Sequence, residues 1–229
     1  MKFGVVVFPG SNCDEDMLYT LTKVMQQEAV KLWHKDHDLQ NCDCIILPGG
    51  FSYGDYLRTG AIARFSPIMD EVISFAQQGG LLLGICNGFQ ILAEAGLVPG
   101  ILLRNANQKY SCKNIYLNPA NTNTKLTTGL ETAKAYKIPI AHGEGRYYAK
   151  PEVIAQLHSN QQIIFRYCDE NGQITEQANP NGSIDNIAGV CNATKNVFGM
   201  MPHPERAADK MLGNTDGKFI LDALIAKSV

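Results

Sequence analysis

The sequence has no cluster of basic residues and no long apolar run. Its 20 Lys and Arg are matched by 22 Asp and Glu, for a formal net charge of −2 over 229 residues. Nucleic acids and anionic membranes bind basic patches, so neither is expected as a partner. No apolar stretch approaches the ~20 residues that a bilayer-spanning helix needs. Met1 leads directly into the apolar segment 3–8 rather than into a secretion signal, so we expect a cytoplasmic protein.

Disulfides and disorder are not expected either. The seven cysteines are an odd number, and thiols stay reduced in the cytoplasm. Hydrophobic residues make up 45% of the chain, which is enough to build a core. Since the sequence shows no internal repeat, linker or low-complexity tract, we predict one domain over residues 1–229.

The first half alternates strand-like and helix-like segments, as a doubly wound parallel sheet requires. Ser66 before Pro67 is typical of a helix start. The segments between predicted strands carry acidic or amphipathic patterns that favour helices. We predict strands at 3–8, 29–33, 44–47 and 81–85, and helices at 14–27, 67–78 and 87–95.

The second half has a looser pattern of short β-like pieces. The segment 169–172, Asp-Glu-Asn-Gly, predicts a hairpin turn between two of them. The predicted fold class is α/β: a mostly parallel central sheet flanked by helices, with additional antiparallel strands. In this half we predict short β-strands at 102–103, 114–117, 136–140 and 163–167, and helices at 151–157 and 216–226.

A cysteine lies where a buried strand is predicted to turn sharply into a helix. Cys86 follows the apolar run 81–83 and is flanked by Gly84 and Gly88. Glycines at these positions avoid clashes in a strained turn, as in the nucleophile elbow of hydrolases. The positive end of the following helix favours thiolate over thiol. Cys86 is therefore predicted to be an exposed nucleophile.

A base and a group to orient it lie near the C-terminus. His203 and Glu205 are separated by one residue, and the prolines at 202 and 204 oppose helix. On an extended segment alternate side chains share a face, so the carboxylate can hold the imidazole beside the thiolate. The alternative is a proline-rich surface turn with an incidental His and Glu.

Donors for an oxyanion are expected at the strand end Leu47-Pro48-Gly49-Gly50-Phe51. A Gly-Gly loop at the carboxyl end of a parallel strand can expose backbone N–H groups. An N–H from Gly50 or Phe51, together with the N–H of Asn87, would make an oxyanion hole. An ordinary strand-ending turn is the alternative.

These residues together resemble the class I, or triad, glutamine amidotransferases. The resemblance rests on the Gly-x-Cys-x-Gly-x-Gln pattern at 84–90, the Pro-Gly-Gly loop at 48–50 and His-Pro-Glu at 203–205. It implies a flavodoxin-like sandwich and a Cys86, His203 and Glu205 triad that forms a thioester with glutamine. It also implies that Gln90, one helical turn after Cys86, helps to position the substrate.

Four longer stretches are similar to the family of glutaminase subunits of phosphoribosylformylglycinamidine synthase. This resemblance implies that ammonia passes to a separate ATP-using synthetase subunit, assisted by a small accessory subunit, in purine synthesis. No glycine spacing in the chain matches a phosphate-binding loop, so no cofactor is expected here, and ATP with Mg is expected on the synthetase. The stretches are 8–14, 48–58, 142–147 and 179–183.

Other conspicuous residues receive weaker assignments. Cys13 lies beside acidic residues that disfavour a thiolate, so a structural or partner-contact role is expected. Cys42 and Cys44 with His34 and His37 do not have the usual spacing of a zinc site, and no metal is predicted. By resemblance, the loop that contains His142 lies near the active site or the synthetase, with a solvated loop histidine as the alternative. The arginines at 58 and 146 could contact the partner.

Two other classes of protein remain open. One is a hydrolase built on a cysteine elbow, although such enzymes place the acid before the histidine, whereas here His203 precedes Glu205. The other is a non-catalytic stress or redox-sensing protein, or a structural subunit, which would not need the His and Glu.

Overall fold

The computed structural model describes residues 1–226. Within this range the chain alternates strands with helices in its first half and is mainly β in its second. The strands, β1 to β11 in chain order, are Lys2–Val7, Glu28–Trp33, Cys44–Leu47, Leu81–Ile85, Ile101–Leu103, Ser111–Pro119, Tyr136–His142, Arg146–Tyr148, Ile163–Cys168, Ile187–Cys191 and Val197–Met200. The α-helices, α1 to α5, are Asp14–Tyr19, Pro67–Gln77, Asn87–Glu94, Pro151–Ser159 and Asp216–Ile225.

One nine-stranded sheet organises these elements, in the order β2-β1-β3-β4-β11-β10-β9-β6-β7. The pairs from β2 to β11 are parallel and those from β11 to β7 are antiparallel. Strands β5 and β8 pair separately. The predicted α/β fold, a parallel sheet with additional antiparallel strands, is confirmed.

The centre of the parallel half is closed to solvent on both faces. All four residues of β3 and the last four of β4 are buried. Full burial of a Leu or Ile side chain stabilises the fold by roughly 1.5–3 kcal/mol. Because both faces are covered by helices, these strands read as continuous apolar runs rather than alternating ones.

The first helix is less regular than predicted. Helix α1 ends at Tyr19, and the chain continues to Val24 as a wider π-helical segment. Asp14 and its two acidic neighbours occupy the first turn, as expected from the helix dipole. Lys31 on the adjacent strand contacts Asp14 at 3.3 Å.

Helix α2 begins at Pro67, as predicted, but Ser66 does not cap it with its side chain. The Ser66 hydroxyl instead lies 2.8 Å from the Tyr53 hydroxyl, which also lies 2.7 Å from His34 Nδ1. The helix start therefore fastens the loop that contains Tyr53.

The predicted hairpin at 169–172 is wrong. The turn forms, with Gly172 N–H donating to Asp169 O and Asp169 N–H to Gln173 O. The chain then runs without a strand until Ile187, where β10 begins and pairs antiparallel with β9. The intervening stretch is rich in Asn, Gly and Pro and forms side-chain-bonded turns instead of a ladder.

Sequence reasoning did not find β10 and β11. Strand β11 has only four residues, yet it lies beside β4 in parallel register, with Met200 opposite Ile85. Its carboxyl end leads directly to His203. None of the described helices is long and apolar enough to cross a membrane.

Candidate active site

Cys86 occupies a strained turn between β4 and α3. Its φ is 50° and its ψ is −107°, a conformation that L-residues rarely adopt. Its N–H is fixed by Met200 O at 2.8 Å. A Cβ on Gly88 would lie 1.9 Å from Leu47 O, and one on Gly84 would lie 2.6 Å from Gly88 O. The two glycines thus let α3 pack directly on the sheet, as the elbow prediction requires.

The thiol is less exposed than predicted. Cys86 is only 5% exposed and lines a cavity of about 150 Å³. Its Sγ lies 3.7 Å from the carbonyl oxygen of Ala141 on β7. The nucleophile therefore lies in the wall of a partly open cavity rather than on the protein surface.

His203 and Glu205 form a buried pair, with Nδ1 and Oε1 at 2.6 Å. Both side chains are 2% exposed. The predicted extended segment is wrong at Glu205, which lies in the 3₁₀ turn Pro204–Ala207. The pairing of the two side chains is nevertheless confirmed by the hydrogen bond between His203 Nδ1 and Glu205 Oε1. Thr20 Oγ1 also donates to the Glu205 carbonyl, at 3.1 Å.

The sheet brings this pair to Cys86. Burial opposes a charged imidazole at His203, but the Glu205 carboxylate and the neighbouring Cys86 and Cys13 raise its pKa well above the usual 6.5. An imidazolium is therefore favoured beside the thiol, which is the charge arrangement that a cysteine nucleophile and its acid require.

One of the three predicted oxyanion donors is already occupied within the protein. Phe51 N–H donates to Gly10 O at 2.9 Å, so it cannot also bind an oxyanion, and this part of the prediction is wrong. Within residues 1–226 the N–H groups of Gly50 and Asn87 donate to no protein acceptor. The left-handed φ of 153° at Gly50 places it against Ser11, where a Cβ would lie 2.8 Å from Ser11 Cα. Gly50 and Asn87 remain the predicted donors.

Gln90 connects the elbow helix to the loop after β7. Its Oε1 accepts from Asn87 Nδ2 at 3.0 Å, and its Nε2 donates to Glu144 O at 2.6 Å. Asn87 Oδ1 in turn accepts from Ser52 N–H at 3.1 Å. Gln90 lines the cavity, but both ends of its amide are bonded to protein. These bonds favour a role in holding the cavity wall, and direct contact with glutamine stays a prediction.

His142 is buried at 3% exposure and lines the same cavity, so it is not a solvated loop histidine. Asn105 donates through Nδ2 to the Lys109 and His142 carbonyls, so its Oδ1 is the acceptor that faces His142 Nδ1 at 3.1 Å. His142 Nδ1 therefore carries the proton, and Nε2 presents a lone pair with no partner among residues 1–226. Burial and the charge of His203 lower the pKa of His142 to about 4, which keeps the ring neutral.

The stretch 179–183 supports the loop that follows β7. Asn181 is 2% exposed, and its Nδ2 donates to Gly145 O at 2.9 Å. Ser183 Oγ accepts from Tyr147 N–H at 3.0 Å. The two stretches 142–147 and 179–183, which are far apart in the chain, are therefore hydrogen-bonded to each other.

Cys13 lies beside the His203–Glu205 pair, which the sequence did not indicate. It is 2% exposed, and Arg206 Nη2 donates to its Sγ at 3.1 Å. A Cβ on Gly49 would lie 2.6 Å from His203 Cε1 and 3.0 Å from Cys13 Sγ, so imidazole and sulfur lie side by side over this glycine. The expected structural role fits this burial, whereas a surface contact with a partner does not.

Polar atoms of Cys13, His203 and Glu205 lie within 4.8 Å of one another, a spacing that a metal ion could also use. The Arg206 cation already contacts the sulfur, and His203 Nδ1 is bonded to Glu205. We therefore interpret the group as part of the catalytic charge network.

The two arginines singled out in the sequence differ in their contacts. Arg58 forms two hydrogen bonds of 2.6 Å with the carboxylate of Glu94, at the end of α3. Arg146 Nε is buried and has no partner within residues 1–226. Asp55, Thr59, Arg104 and Glu144 also line the cavity, and the sequence gave none of them an individual role.

Comparison with known proteins decides the family. A model of the CobB/CobQ-like glutamine amidotransferase domain matches residues 1–218. A protein of Koribacter versatilis named phosphoribosylformylglycinamidine synthase subunit PurQ is 55% identical, over 98% of this chain and 97% of its own. The chain belongs to the PurQ family. A PurQ protein of Moorella thermoacetica is 57% identical, over 98% of this chain and 95% of its own.

Solved structures agree with the PurQ assignment. A chain of the structure described as PurLQS from Thermotoga maritima has a TM-score of 0.86 and 42% identity, covering 98% of this chain and 97% of that one. A glutamine amidotransferase from Thermotoga maritima, at 13% identity and a TM-score of 0.55, shares the fold.

Proposed function

We propose that this chain is the glutaminase subunit of phosphoribosylformylglycinamidine synthase, which supplies ammonia for the amidine-forming step of purine synthesis. The main structural observation behind this proposal is the buried His203–Glu205 pair, 2.6 Å apart, at the same end of the sheet as Cys86. Its support is the near full-length match to PurQ relatives at 55–57% identity.

The first half of the reaction forms a thioester. The Cys86 thiolate attacks the side-chain amide carbon of glutamine, and the S–C bond forms while the carbonyl electrons move to oxygen. The C–N bond then breaks, and His203 gives its proton to the departing nitrogen, which leaves as ammonia. The raised pKa of His203 suits this role, because the ring starts as the acid.

The second half releases glutamate. His203, now neutral, takes a proton from water, the new C–O bond forms and the S–C bond breaks, and the proton returns to the sulfur or ring. Glu205 holds Nδ1 and so keeps Nε2 available to the reacting groups. The N–H groups of Gly50 and Asn87 are the proposed oxyanion donors, and loss of one such donor typically costs about 3 kcal/mol of transition-state stabilisation.

Ammonia is useful only where an acceptor is activated, so the chain is proposed to work in a complex. The partners are an ATP-dependent synthetase subunit, which converts formylglycinamide ribonucleotide to formylglycinamidine ribonucleotide, and a small accessory subunit. The similar solved structure is described as PurLQS. ATP and Mg are proposed to bind the synthetase, since no glycine spacing here matches a phosphate loop. The seven free cysteines suit a cytoplasmic location.

The test is Cys86→Ala in the complex reconstituted with both partner subunits. Glutamine-dependent synthesis should fall to background, while synthesis from added ammonium chloride should persist. Cys112→Ala, at an exposed cysteine on β6, is the matched control and should retain both activities. Survival of glutamine-dependent turnover in Cys86→Ala would refute the proposal.

A further inference from the structure

The loop that follows β3 adopts a backbone conformation that its own residues do not favour. Tyr53 and Asp55 have φ of 54° and 53°, and Gly54 between them has φ of 71°. Left-handed backbone is costly for residues that carry a Cβ, so a run of this kind persists only where neighbouring groups hold it. Gly50, one of the two proposed oxyanion donors, lies at the start of this loop.

One attachment of the loop is to the elbow helix. Ser52 N–H donates to Asn87 Oδ1 at 3.1 Å, and both residues are buried. Asn87 is the first residue of α3 and carries the other proposed oxyanion donor. A shift of this loop would therefore change the position of the Gly50 N–H relative to that of Asn87.

A second attachment is made by Tyr53. Its N–H donates to Pro9 O at 2.6 Å. Its hydroxyl lies between two polar groups, 2.7 Å from His34 Nδ1 and 2.8 Å from Ser66 Oγ. Its ring packs edge-on against the His34 ring, with the centroids 5.6 Å apart. Because a hydroxyl can donate one hydrogen bond and accept another, both polar contacts can form at once.

The two partners of the Tyr53 hydroxyl are themselves fixed. His34 and Ser66 are both 4% exposed. His34 N–H donates to Val7 O at 3.0 Å, and its carbonyl accepts from Ile68 N–H at 3.1 Å, so it joins the end of β1 to α2. Ser66 stands where a serine hydroxyl commonly caps a helix, yet its side chain makes no cap. Its hydroxyl contacts Tyr53 instead, so a bond to the loop replaces a helix cap.

These three side chains lie outside the lining of the cavity that holds Cys86, whereas Gly50 lines it. Any effect of Tyr53 on the reaction must therefore pass through the backbone of the loop. Stabilisation of an oxyanion depends on the distance and direction of each N–H group, and it acts on the transition state more than on bound glutamine.

We propose that Tyr53, held between His34 and Ser66, is a positioning residue that keeps the Gly50 N–H directed at the reacting carbonyl oxygen. The proposal rests on the glutaminase function proposed above and adds to it a clamp outside the cavity. We call these three side chains the Tyr53 clamp.

The experiment is Tyr53→Phe in the complex reconstituted with both partner subunits, since this change removes the hydroxyl and keeps the ring. Both kcat and kcat/KM for glutamine should fall roughly 5- to 50-fold, which is part of the roughly 10²- to 10³-fold that loss of a whole donor costs. KM should change less than about twofold, and ammonium-driven synthesis should persist. Adding Ser66→Ala to Tyr53→Phe should lower kcat no further than about twofold, because both changes break the same bond.

Alkylation of Cys86 by iodoacetamide separates positioning from a general loss of structure. The thiolate displaces iodide from a saturated carbon, so the S–C bond forms and the C–I bond breaks without an oxyanion. The alkylation rate in Tyr53→Phe should therefore stay within about twofold of the wild-type rate, as followed by mass spectrometry of the peptide that contains Cys86. A distorted site would change this rate together with kcat.

Tyr116→Phe, at a half-buried tyrosine on β6 in the antiparallel half of the sheet, is the matched control and should leave both rates unchanged. His34→Asn keeps a hydrogen-bonding atom near the position of Nδ1 and should retain more kcat than His34→Ala.

Four results would each overturn the Tyr53 clamp: an unchanged kcat in Tyr53→Phe, a loss confined to KM, parallel losses of kcat and alkylation, or loss of ammonium-driven synthesis. In each case Cys86→Ala would still abolish glutamine use if the proposed function is correct, so the failure of the two proposals is distinguishable.

Discussion

Arg206 donates a hydrogen bond to the thiol of Cys13, Nη2 to Sγ at 3.1 Å. Arg206 also holds Asp16 at 3.0 Å. The first helix and the His-Pro-Glu segment are thereby joined through one guanidinium. Cys13 and Arg206 are 193 positions apart in the chain, and Cys13 also lies beside the imidazole of His203.

Cys13→Ala should destabilise the protein and lower the pKa of His203. The free energy of unfolding should fall by about 0.5–1.5 kcal/mol, because the half-buried Arg206 guanidinium loses an acceptor. Cys13→Ser keeps an acceptor and should lose less. Chemical unfolding, together with the pH profile of glutaminase activity, checks this. If Cys13→Ala kept the wild-type free energy of unfolding and the wild-type pH profile of activity, the proposed influence of Cys13 on Arg206 and His203 would be wrong.

Glu205→Gln should move the alkaline limit of glutamine turnover to lower pH. The carboxylate raises the pKa of His203, so its removal lets the ring lose its proton earlier as pH rises. Activity at neutral pH should fall roughly 10²- to 10⁴-fold, the usual contribution of a positioned acid–base group. The kcat/KM for glutamine against pH is the measurement, with ammonium-driven synthesis as the control for assembly. An unchanged alkaline limb would show that Glu205 does not set the charge on His203.

His142 should make the fold acid-sensitive. Its pKa is about 4 in the folded chain and 6.5 when exposed, so the unfolded chain binds more protons between these values. The free energy of unfolding therefore falls as pH drops through this window, by about 2 kcal/mol at pH 5 from this group alone. His142→Gln should therefore lose less unfolding free energy than the wild type between pH 7 and pH 5, as measured by urea unfolding at the two pH values. His37→Gln, at an exposed histidine, should keep it, and identical behaviour of the two variants would refute the assignment.

Gly88→Ala should prevent normal packing of the elbow helix. The new methyl would lie 1.9 Å from Leu47 O, and both elements would have to separate, at a cost of about 3 kcal/mol or more. Gly96→Ala is the matched control: its φ is 69°, but no heavy atom lies within 4 Å. It should cost only about 1–2 kcal/mol, the price of a left-handed alanine. Thermal unfolding of the two variants distinguishes the clash from the backbone strain.

Much of the parallel half could be predicted from the sequence because β1, β3 and β4 are short buried runs with Gly or Pro close to one end. Strands β3 and β4 have the predicted bounds. Strand β11 is as short as β3, and it was missed because its place beside β4 depends on a partner more than 100 residues away. The hairpin prediction failed at Gly172 for a related reason: the local turn signal is correct, but nothing local specifies which strand follows.

The sequence by itself determined the nucleophile elbow, the spacing of His203 and Glu205, and the family. These depend on residues close together in the chain, where backbone geometry fixes what the side chains can do. Only the tertiary structure decided that Phe51 N–H is occupied, that Cys13 lies beside the catalytic imidazole, and that Asp55 and Glu144 share one cavity. The reason is physical: the parallel strands bring distant chain segments to one edge of the sheet, and close packing there selects the contacts.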